Sequence, residues 1–373
     1  AILCPGSRCA PLTLAFTRHP SIATRTISDE RSAAFIALGM AQQTQHPTVL
    51  VCTSGSAAYN FAPAIAEAFF QEVPLVVFTA DRPKEWIDQW DGQTIRQTNI
   101  YGGHVKKSIQ LPEDYDHIDA QWYINRAVNE AINLSREFPC GPVHINVPLR
   151  EPLYPAKGEK IQLSQAIRIT SENKYTASLT HLENEKLAQS LGGFSKVMVI
   201  AGQQQYNDVL IKLVDRFSRK HHAAVIGDVI SNFHGSENTI RFADSILGQG
   251  SKSVQKSLQP ELLITFGKSV ISKNVKHFIR SHKPLEHWHI QPAGTVPDTF
   301  QSLTRVIRSS VEIFFESLLA AEAAGKFENQ KKSNYFHLWQ AEEHRTQRSH
   351  ADFFQEASFA ELSVLKEIIQ SLP

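Results

Sequence analysis

Residues 22–45 read IATRTISDERSAAFIALGMAQQTQ, and the way this stretch divides decides the fold. The β-branched run Ile22–Ile27 reads as a strand, and Ser28 and Asp29 as a turn and helix cap. The residues that follow to Gln45 read as an amphipathic helix with Phe35, Ile36, Leu38, Gly39 and Ala41 on one face. Glu30 then stands at the carboxyl end of a strand, the edge on which open α/β sheets bind ligands. In a dry crevice its pKa would rise enough for it to exchange a proton with a bound cofactor. Read alone, Glu30 is better explained as a first-turn carboxylate complementing the helix dipole, so its neighbours have to decide.

Working outward, strand and helix alternate with short links. Strands are expected at 1–4, 22–27, 48–52, 74–79 and 142–147, and helices at 11–18, 31–45, 57–71 and 119–136. Val49–Cys52 and Leu75–Phe78 are continuous apolar runs, as strands covered on both faces require. The stretch 80–118 is too long for an idle connection and is expected to be functional. A second α/β unit follows, with strands at 197–200, 223–226, 262–266 and 287–290 and helices at 206–220, 305–324 and 334–346. The expected fold class is α/β with two open parallel-sheet domains at residues 1–150 and 181–345. Residues 151–180, with Pro152, Pro155 and Gly158, read as a linker, and 346–373 as a connecting segment.

Among 373 residues, 38 are basic and 37 acidic, which leaves a net charge of +1 and no global field for nucleic acid or a membrane surface. No apolar run is long enough to span a bilayer. Cys4, Cys9, Cys52 and Cys140 form no CxxC pair, which predicts a reduced, cytoplasmic setting. The chain opens on strand-like Ala1–Cys4 and closes on helix-like residues 359–369, so a piece of a longer protein is expected.

Three strand ends carry candidate chemistry. Pro5-Gly6-Ser7-Arg8 joins a tight turn to a hydroxyl and a planar guanidinium fork. Thr53-Ser54-Gly55 opens a helix with small residues that let a ligand approach the backbone. Asp81-Arg82-Pro83 leads to Gly92-Gln93-Thr94-Ile95-Arg96-Gln97. Arg8, Arg82 and Arg96, if they converge, suit a substrate bearing several carboxylates. Each alone reads as a surface ion pair. No histidine with an acid partner activates Ser54 or Ser56 as a nucleophile. His221-His222 and His287-x-His289 lack the further ligands of a zinc site. Gly227-Asp228-Val229 lacks the final glycine of a Gly-Asp-Gly metal motif. No dinucleotide or P-loop glycine pattern occurs.

Together, PGSR at 5–8, DER at 29–31, TSGSAAYN at 53–60, ADRP at 80–83, GQTIRQ at 92–97 and VHINVPLREPLY at 143–154 resemble one family. It is the 2-succinyl-5-enolpyruvyl-6-hydroxy-3-cyclohexene-1-carboxylate synthases, thiamine diphosphate enzymes of menaquinone biosynthesis. The resemblance implies a pyrimidine-binding domain, a central domain and a third domain that holds the diphosphate through Mg²⁺ or Mn²⁺. That third domain is expected to lie beyond this sequence, so residues 1–373 alone are expected to bind thiamine diphosphate weakly or not at all, and not to turn over. No metal ligand is assigned here.

By the same resemblance, Glu30 hydrogen-bonds the cofactor's pyrimidine ring and promotes its imino tautomer, and Thr53, Ser54 and Gly55 contact the cofactor. Ser7, Arg8, Arg82, Gln93 and Arg96 bind the substrates 2-oxoglutarate and isochorismate, with Lys273 a further basic contact. A homodimer or homotetramer is implied. Two departures stand out: Cys9 replaces a small hydroxyl residue, and Gly92 replaces an Asn. The latter leaves one substrate hydrogen bond lost or supplied by Asp91 or Trp90. The alternatives left open are another thiamine diphosphate carboligase or decarboxylase, and a non-catalytic dicarboxylate-binding module.

Overall fold

Apolar runs such as Val49–Cys52 and Leu75–Phe78 can be satisfied only as inner strands covered on both faces, and the chain uses them so. The computed structural model describes residues 1–159, 161, 163, 167–173, 177–323 and 334–372. It divides into two units, Ala1–Lys174 and Tyr175–Pro373.

The first unit runs β1 (Ile2–Leu3), α1 (Ala10–Arg18), β2 (Arg25–Thr26), α2 (Glu30–Thr44), β3 (Thr48–Cys52), α3 (Ser56–Asn60), α4 (Ala62–Phe70), β4 (Leu75–Asp81), β5 (Ser108–Gln110), α5 (Ile118–Arg136) and β6 (Val143–Pro148). Its strands lie in the order β2-β1-β3-β4-β6-β5, and every pairing is parallel. One face of the sheet packs on α2, α3 and α4 through Ala37, Leu50, Phe61 and Ile65. The other packs on α1 and α5 through Phe78, Ala127, Ala131 and Ile145.

The second unit adds α6 (His181–Leu191), β7 (Val197–Ala201), α7 (Asp208–His221), β8 (Ala224–Gly227), β9 (Thr239–Ile240), α8 (Ala243–Gln249), α9 (Lys252–Ser257), β10 (Leu262–Phe266), α10 (Lys273–Ser281), β11 (Glu286–Ile290), β12 (Arg305–Ile307), α11 (Val311–Ala323), α12 (Tyr335–Glu356) and α13 (Glu361–Ser371). Its sheet is again parallel, in the order β12-β11-β10-β7-β8-β9. Phe217, Phe266, Trp288 and Phe315 fill one face, and Phe278, Tyr335 and Trp339 the other.

The expected α/β class with two parallel-sheet domains is what the chain adopts, with several local corrections. The buried face of α2 is Ala33, Ala34, Ala37, Leu38 and Ala41. Phe35 and Ile36, expected inside, are 45% and 46% exposed. Alanines let the helix backbone lie close on the sheet, and the larger residues are turned outward. The single helix expected at 57–71 breaks at Phe61, because Pro63 cannot donate the hydrogen bond that would continue it. Residues 305–307, expected to be helical, are the edge strand β12. The strand expected at 22–27 is paired only at Arg25–Thr26. Short β5 and β9, and helices α6, α8, α9 and α10, lie where no element was expected. The start of α6 carries a full capping box: Glu183 N–H donates to Thr180 Oγ1 at 3.3 Å, and Thr180 N–H to Glu183 Oε2 at 2.8 Å. Among the described residues no helix is long and apolar enough to cross a membrane.

Both sheets bury neutral histidines against threonine. His144 Nε2 lies 2.8 Å from Thr79 Oγ1 and its Nδ1 2.9 Å from Ser108 Oγ. His287 and His289 both hydrogen-bond Thr265 Oγ1 at 2.8 Å, so the pair is packed interior. Burial pushes the His144 pKa down to about 3 and that of His287 down to about 4. An unfolded histidine takes up its proton near pH 6.5, whereas these stay neutral well below that. Stability is therefore intact above roughly pH 6.5 and falls as pH drops toward the folded values, by up to about 1.4 kcal/mol per pH unit per histidine. Urea denaturation at pH 7 and pH 4.5 should show a smaller stability loss for His144→Gln than for the natural chain, by about 2 kcal/mol. Equal losses would mean that His144 accepts its proton while folded.

Candidate functional site

In a parallel sheet all carboxyl ends meet one edge, and in the first unit that edge gathers the candidate residues. The turn Cys4–Arg8 leaves β1. Here Cys9 donates its thiol to Cys4 O and Gly6 O at 3.3 Å each. Asp29 caps α2 by accepting Ser32 N–H at 3.0 Å, which makes Glu30 the first residue of the helix. Thr53–Gly55 leaves β3, Asp81–Arg82 ends β4, and Leu149–Arg150 follows β6.

A cavity of about 320 Å³ is lined by Gly6, Ser7, Glu30, Thr53, Ser54, Asn60 and Gln93, among others. Glu30 is partly exposed in it, whereas Thr53 and Ser54 are buried. A Cβ on Gly6 would lie 2.3 Å from Thr53 Cβ, so only glycine lets the two strand ends meet. Gly55, at φ 83°, lies under the backbone of Gln93, which a Cβ would approach to 3.1 Å. Thr53 Oγ1 is buried without a hydrogen-bond partner, apart from a weak interaction with the Cys9 thiol. A carboxyl group, an orphaned hydroxyl and side chains kept small fit a flat heterocycle with ring nitrogens and an amino group, such as an aminopyrimidine.

A second cavity, of about 410 Å³, is lined by Arg8, Arg82 and Arg150 with Trp86, Asp91 and Glu151. Arg8 is buried, donating from Nη1 to Leu149 O at 2.8 Å, with Glu151 at 3.6 Å. Burial first, and then the neighbouring Arg82 charge, pull the Arg8 guanidinium below its ordinary pKa. Arg82 is held by Asp91 at 2.7 Å and by Gly92 O at 2.8 Å. Arg150 pairs with Glu85 and, at 3.2 Å, with Glu113. Arginines crowded into one cavity suit a ligand carrying more than one carboxylate.

The structure thus brings together Ser7, Glu30, Thr53, Ser54 and Gln93 around one cavity, with Gly55 beneath Gln93, and Arg8 with Arg82 around the other. Arg96 does not line the arginine cavity; its side chain is 81% exposed and pairs with Asp88. Lys273 is exposed at the start of α10 in the second unit. The Gly92 carbonyl accepts from Arg82 Nε at 3.1 Å and Nη2 at 2.8 Å. Asp91 is engaged by the same arginine, and Trp90 is fully exposed. Arg150 and Asn60 were missed as lining residues although both lie inside the quoted motifs. Gln97, Asn146 and Asp81 were missed because their role depends on contacts between distant strands. Among the described residues no group of three or more His, Cys, Asp or Glu is placed to hold a metal ion.

The family model for the thiamine pyrophosphate enzyme N-terminal TPP binding domain matches residues 1–100, and that for the middle domain of thiamine pyrophosphate enzymes matches residues 169–373. The chain is 45% identical over 320 residues to a protein of Cytophaga hutchinsonii, covering 86% of this chain and 56% of that one. It is 37% identical to a protein of Flavobacterium johnsoniae and 35% identical to one of Porphyromonas gingivalis, in each case over 100% of this chain and 64% of the relative. All three relatives are named 2-succinyl-5-enolpyruvyl-6-hydroxy-3-cyclohexene-1-carboxylate synthase, and the chain spans about three fifths of their length. Since the middle-domain model alone covers more than half of its residues, the chain belongs to the thiamine pyrophosphate enzymes.

Proposed function

We propose that the protein to which this chain belongs is a thiamine diphosphate-dependent synthase of menaquinone biosynthesis. In this reading it joins the succinic semialdehyde unit of 2-oxoglutarate to isochorismate with loss of CO₂. The observation that carries the reading is the adjacency of two cavities on one sheet edge, with Ser7 and Glu30 in one and Arg8 and Arg82 in the other. The names of the relatives support the choice of reaction. Residues 1–150 form the pyrimidine-binding part, 181–345 the central domain and 346–373 a connection onward.

When bound, thiamine diphosphate supplies the electron sink that lets a 2-oxo acid lose CO₂. The chain's own residues do the rest. Glu30 holds a proton at a pyrimidine nitrogen, and its place on the first turn of α2 fixes that carboxyl against the sheet edge. Thr53 offers its buried hydroxyl, and Ser54 and Gly55 offer polar and backbone groups, to the same ring. Arg8 and Arg82 take up substrate carboxylates, with Ser7 and Gln93 orienting the remaining oxygens. Mg²⁺ or Mn²⁺ belongs to the diphosphate end, and no residue described here is assigned to it. A cytoplasmic homodimer or homotetramer is part of the proposal; exposed Phe35, Ile36, Met40 and Tyr59 support self-association.

Full-length enzyme given 2-oxoglutarate with isochorismate should release CO₂ and form the adduct, whereas pyruvate should not replace 2-oxoglutarate. Preference for pyruvate would point to a different carboligase. Glu30→Gln should lower kcat by about 10²- to 10⁴-fold, with a far smaller change in cofactor affinity. Unchanged deuterium exchange at the cofactor's reactive carbon would remove Glu30 from the proton transfer. Arg8→Gln and Arg82→Gln should each raise the KM of a carboxylate substrate by about tenfold or more, measured by steady-state kinetics.

A further inference from the structure

Gln97 is 1% exposed, and both polar atoms of its side chain are used. Its Oε1 accepts the N–H of Gly55 at 2.7 Å, and its Nε2 donates to Ala80 O and to Asn146 Oδ1 at 3.0 Å each. Asn146, also 1% exposed, donates from Nδ2 to Asp81 Oδ2 at 2.7 Å. The other Asp81 oxygen accepts the N–H of Arg82 at 2.8 Å. Direct hydrogen bonds therefore run Gly55–Gln97–Asn146–Asp81–Arg82, from the floor of the Glu30 cavity to the rim of the arginine cavity.

A parallel sheet does not need this chain, since its strands pair through their backbones. Burying two amides and a carboxylate has a desolvation cost that an apolar filling of the same shape avoids. What the polar chain provides is position. Gly55 stands at φ 83° ahead of the short helix α3, and Gln97 is the side chain that holds its N–H. The backbone N–H of Arg82 is held by the carboxylate that Asn146 holds, which fixes where the arginine side chain leaves the strand end.

We propose that Gln97, Asn146 and Asp81 are positioning residues. They keep the Thr53–Gly55 floor and the Arg82 rim at one separation, so that cofactor ring and substrate carboxylates are presented to each other in register. This rests on the thiamine diphosphate reading above.

The test uses full-length enzyme, isothermal titration with thiamine diphosphate and Mg²⁺, and steady-state kinetics. Gln97→Met keeps the volume but releases both Gly55 and Asn146. It should raise the cofactor Kd and the KM for 2-oxoglutarate by about tenfold each, the equivalent of one lost hydrogen bond. Thr79→Val removes the hydroxyl that donates to Asn146 Oδ1 at 2.7 Å and meets His144 Nε2 at 2.8 Å, without touching Gly55 or Arg82. It should lower the melting temperature comparably while leaving Kd and KM within about twofold, because it lies off the connecting chain. Gln97→Met leaving both constants unchanged, or Thr79→Val moving them equally, would reduce the network to a structural role. Amide exchange at Gly55 in cofactor-free natural enzyme needs no variant: protection like that of strand amides is expected, and rapid exchange overturns the proposal. If the natural enzyme itself fails to bind thiamine diphosphate, the cofactor reading falls and takes this one with it. Normal binding with an indifferent Gln97→Met overturns the positioning role alone.

Discussion

Parallel pairing is the constraint on which the first unit depends. A strand that enters a parallel sheet must deliver its carboxyl end to the same edge as its neighbours, whatever its distance along the chain. Arg8 and Leu149 are 141 residues apart, yet Arg8 donates to the Leu149 carbonyl at 2.8 Å because β1 and β6 point the same way. Leu149 N–H in turn reaches Asp81 O at 2.9 Å, which extends the pairing of β4 and β6 past the strand end and carries Arg150 to the arginine cavity. Reversing any one of these strands would send its loop to the opposite edge and empty part of the site. The crossover helices needed for parallel pairing also explain why Glu30, at the start of one of them, faces the cavity.

The polar groups buried between these strands set the register as firmly as the apolar ones. Thr79, His144 and Asn146 lie inside the first sheet, and Thr265, His287 and His289 inside the second. In each sheet one threonine hydroxyl bridges side chains from a neighbouring strand. A slip of one residue would move these groups to the other face and leave buried donors and acceptors unpaired, at about 1–3 kcal/mol each. A purely aliphatic interior would tolerate such slips better. The polar interior therefore narrows the choice to a single register, and the geometry of the strand ends follows from it.

The α/β architecture was legible because long apolar strands and capped helices announce themselves locally. β3, β4, β7 and β10 are five to seven residues long and mostly apolar. Strands β5, β9 and β12, only two or three residues long, have no period to read and exist because a neighbour offers its edge. The candidate site divides the same way. Glu30, Arg8 and Arg82 follow strands, and their joint occurrence at strand ends, not any one of them alone, marked the site. Arg96 lies in an equally suggestive motif, but Asp88, eight residues away, holds it at the surface. Gln97 gave no signal of its own: its partners Gly55 and Asn146 are 42 and 49 residues distant, and only the folded sheet brings them to it.

The inverted face of α2 belongs to the same logic. An amphipathic reading puts the largest apolar residues inward, since they remove the most surface from water. Here alanines face the sheet, while Phe35, Ile36 and Met40 remain exposed. With Ala33, Ala34, Ala37 and Ala41 fully buried beside Leu38 against β1 and β3, the helix axis can lie closer to the strands than larger residues at those four positions would permit. That closeness fixes where the helix begins, and Glu30 is its first residue. Larger side chains on the inner face would lift α2 and draw the Glu30 carboxyl away from Gly6 and Thr53. The alanine face thus fixes the point on the sheet edge from which the Glu30 side chain starts.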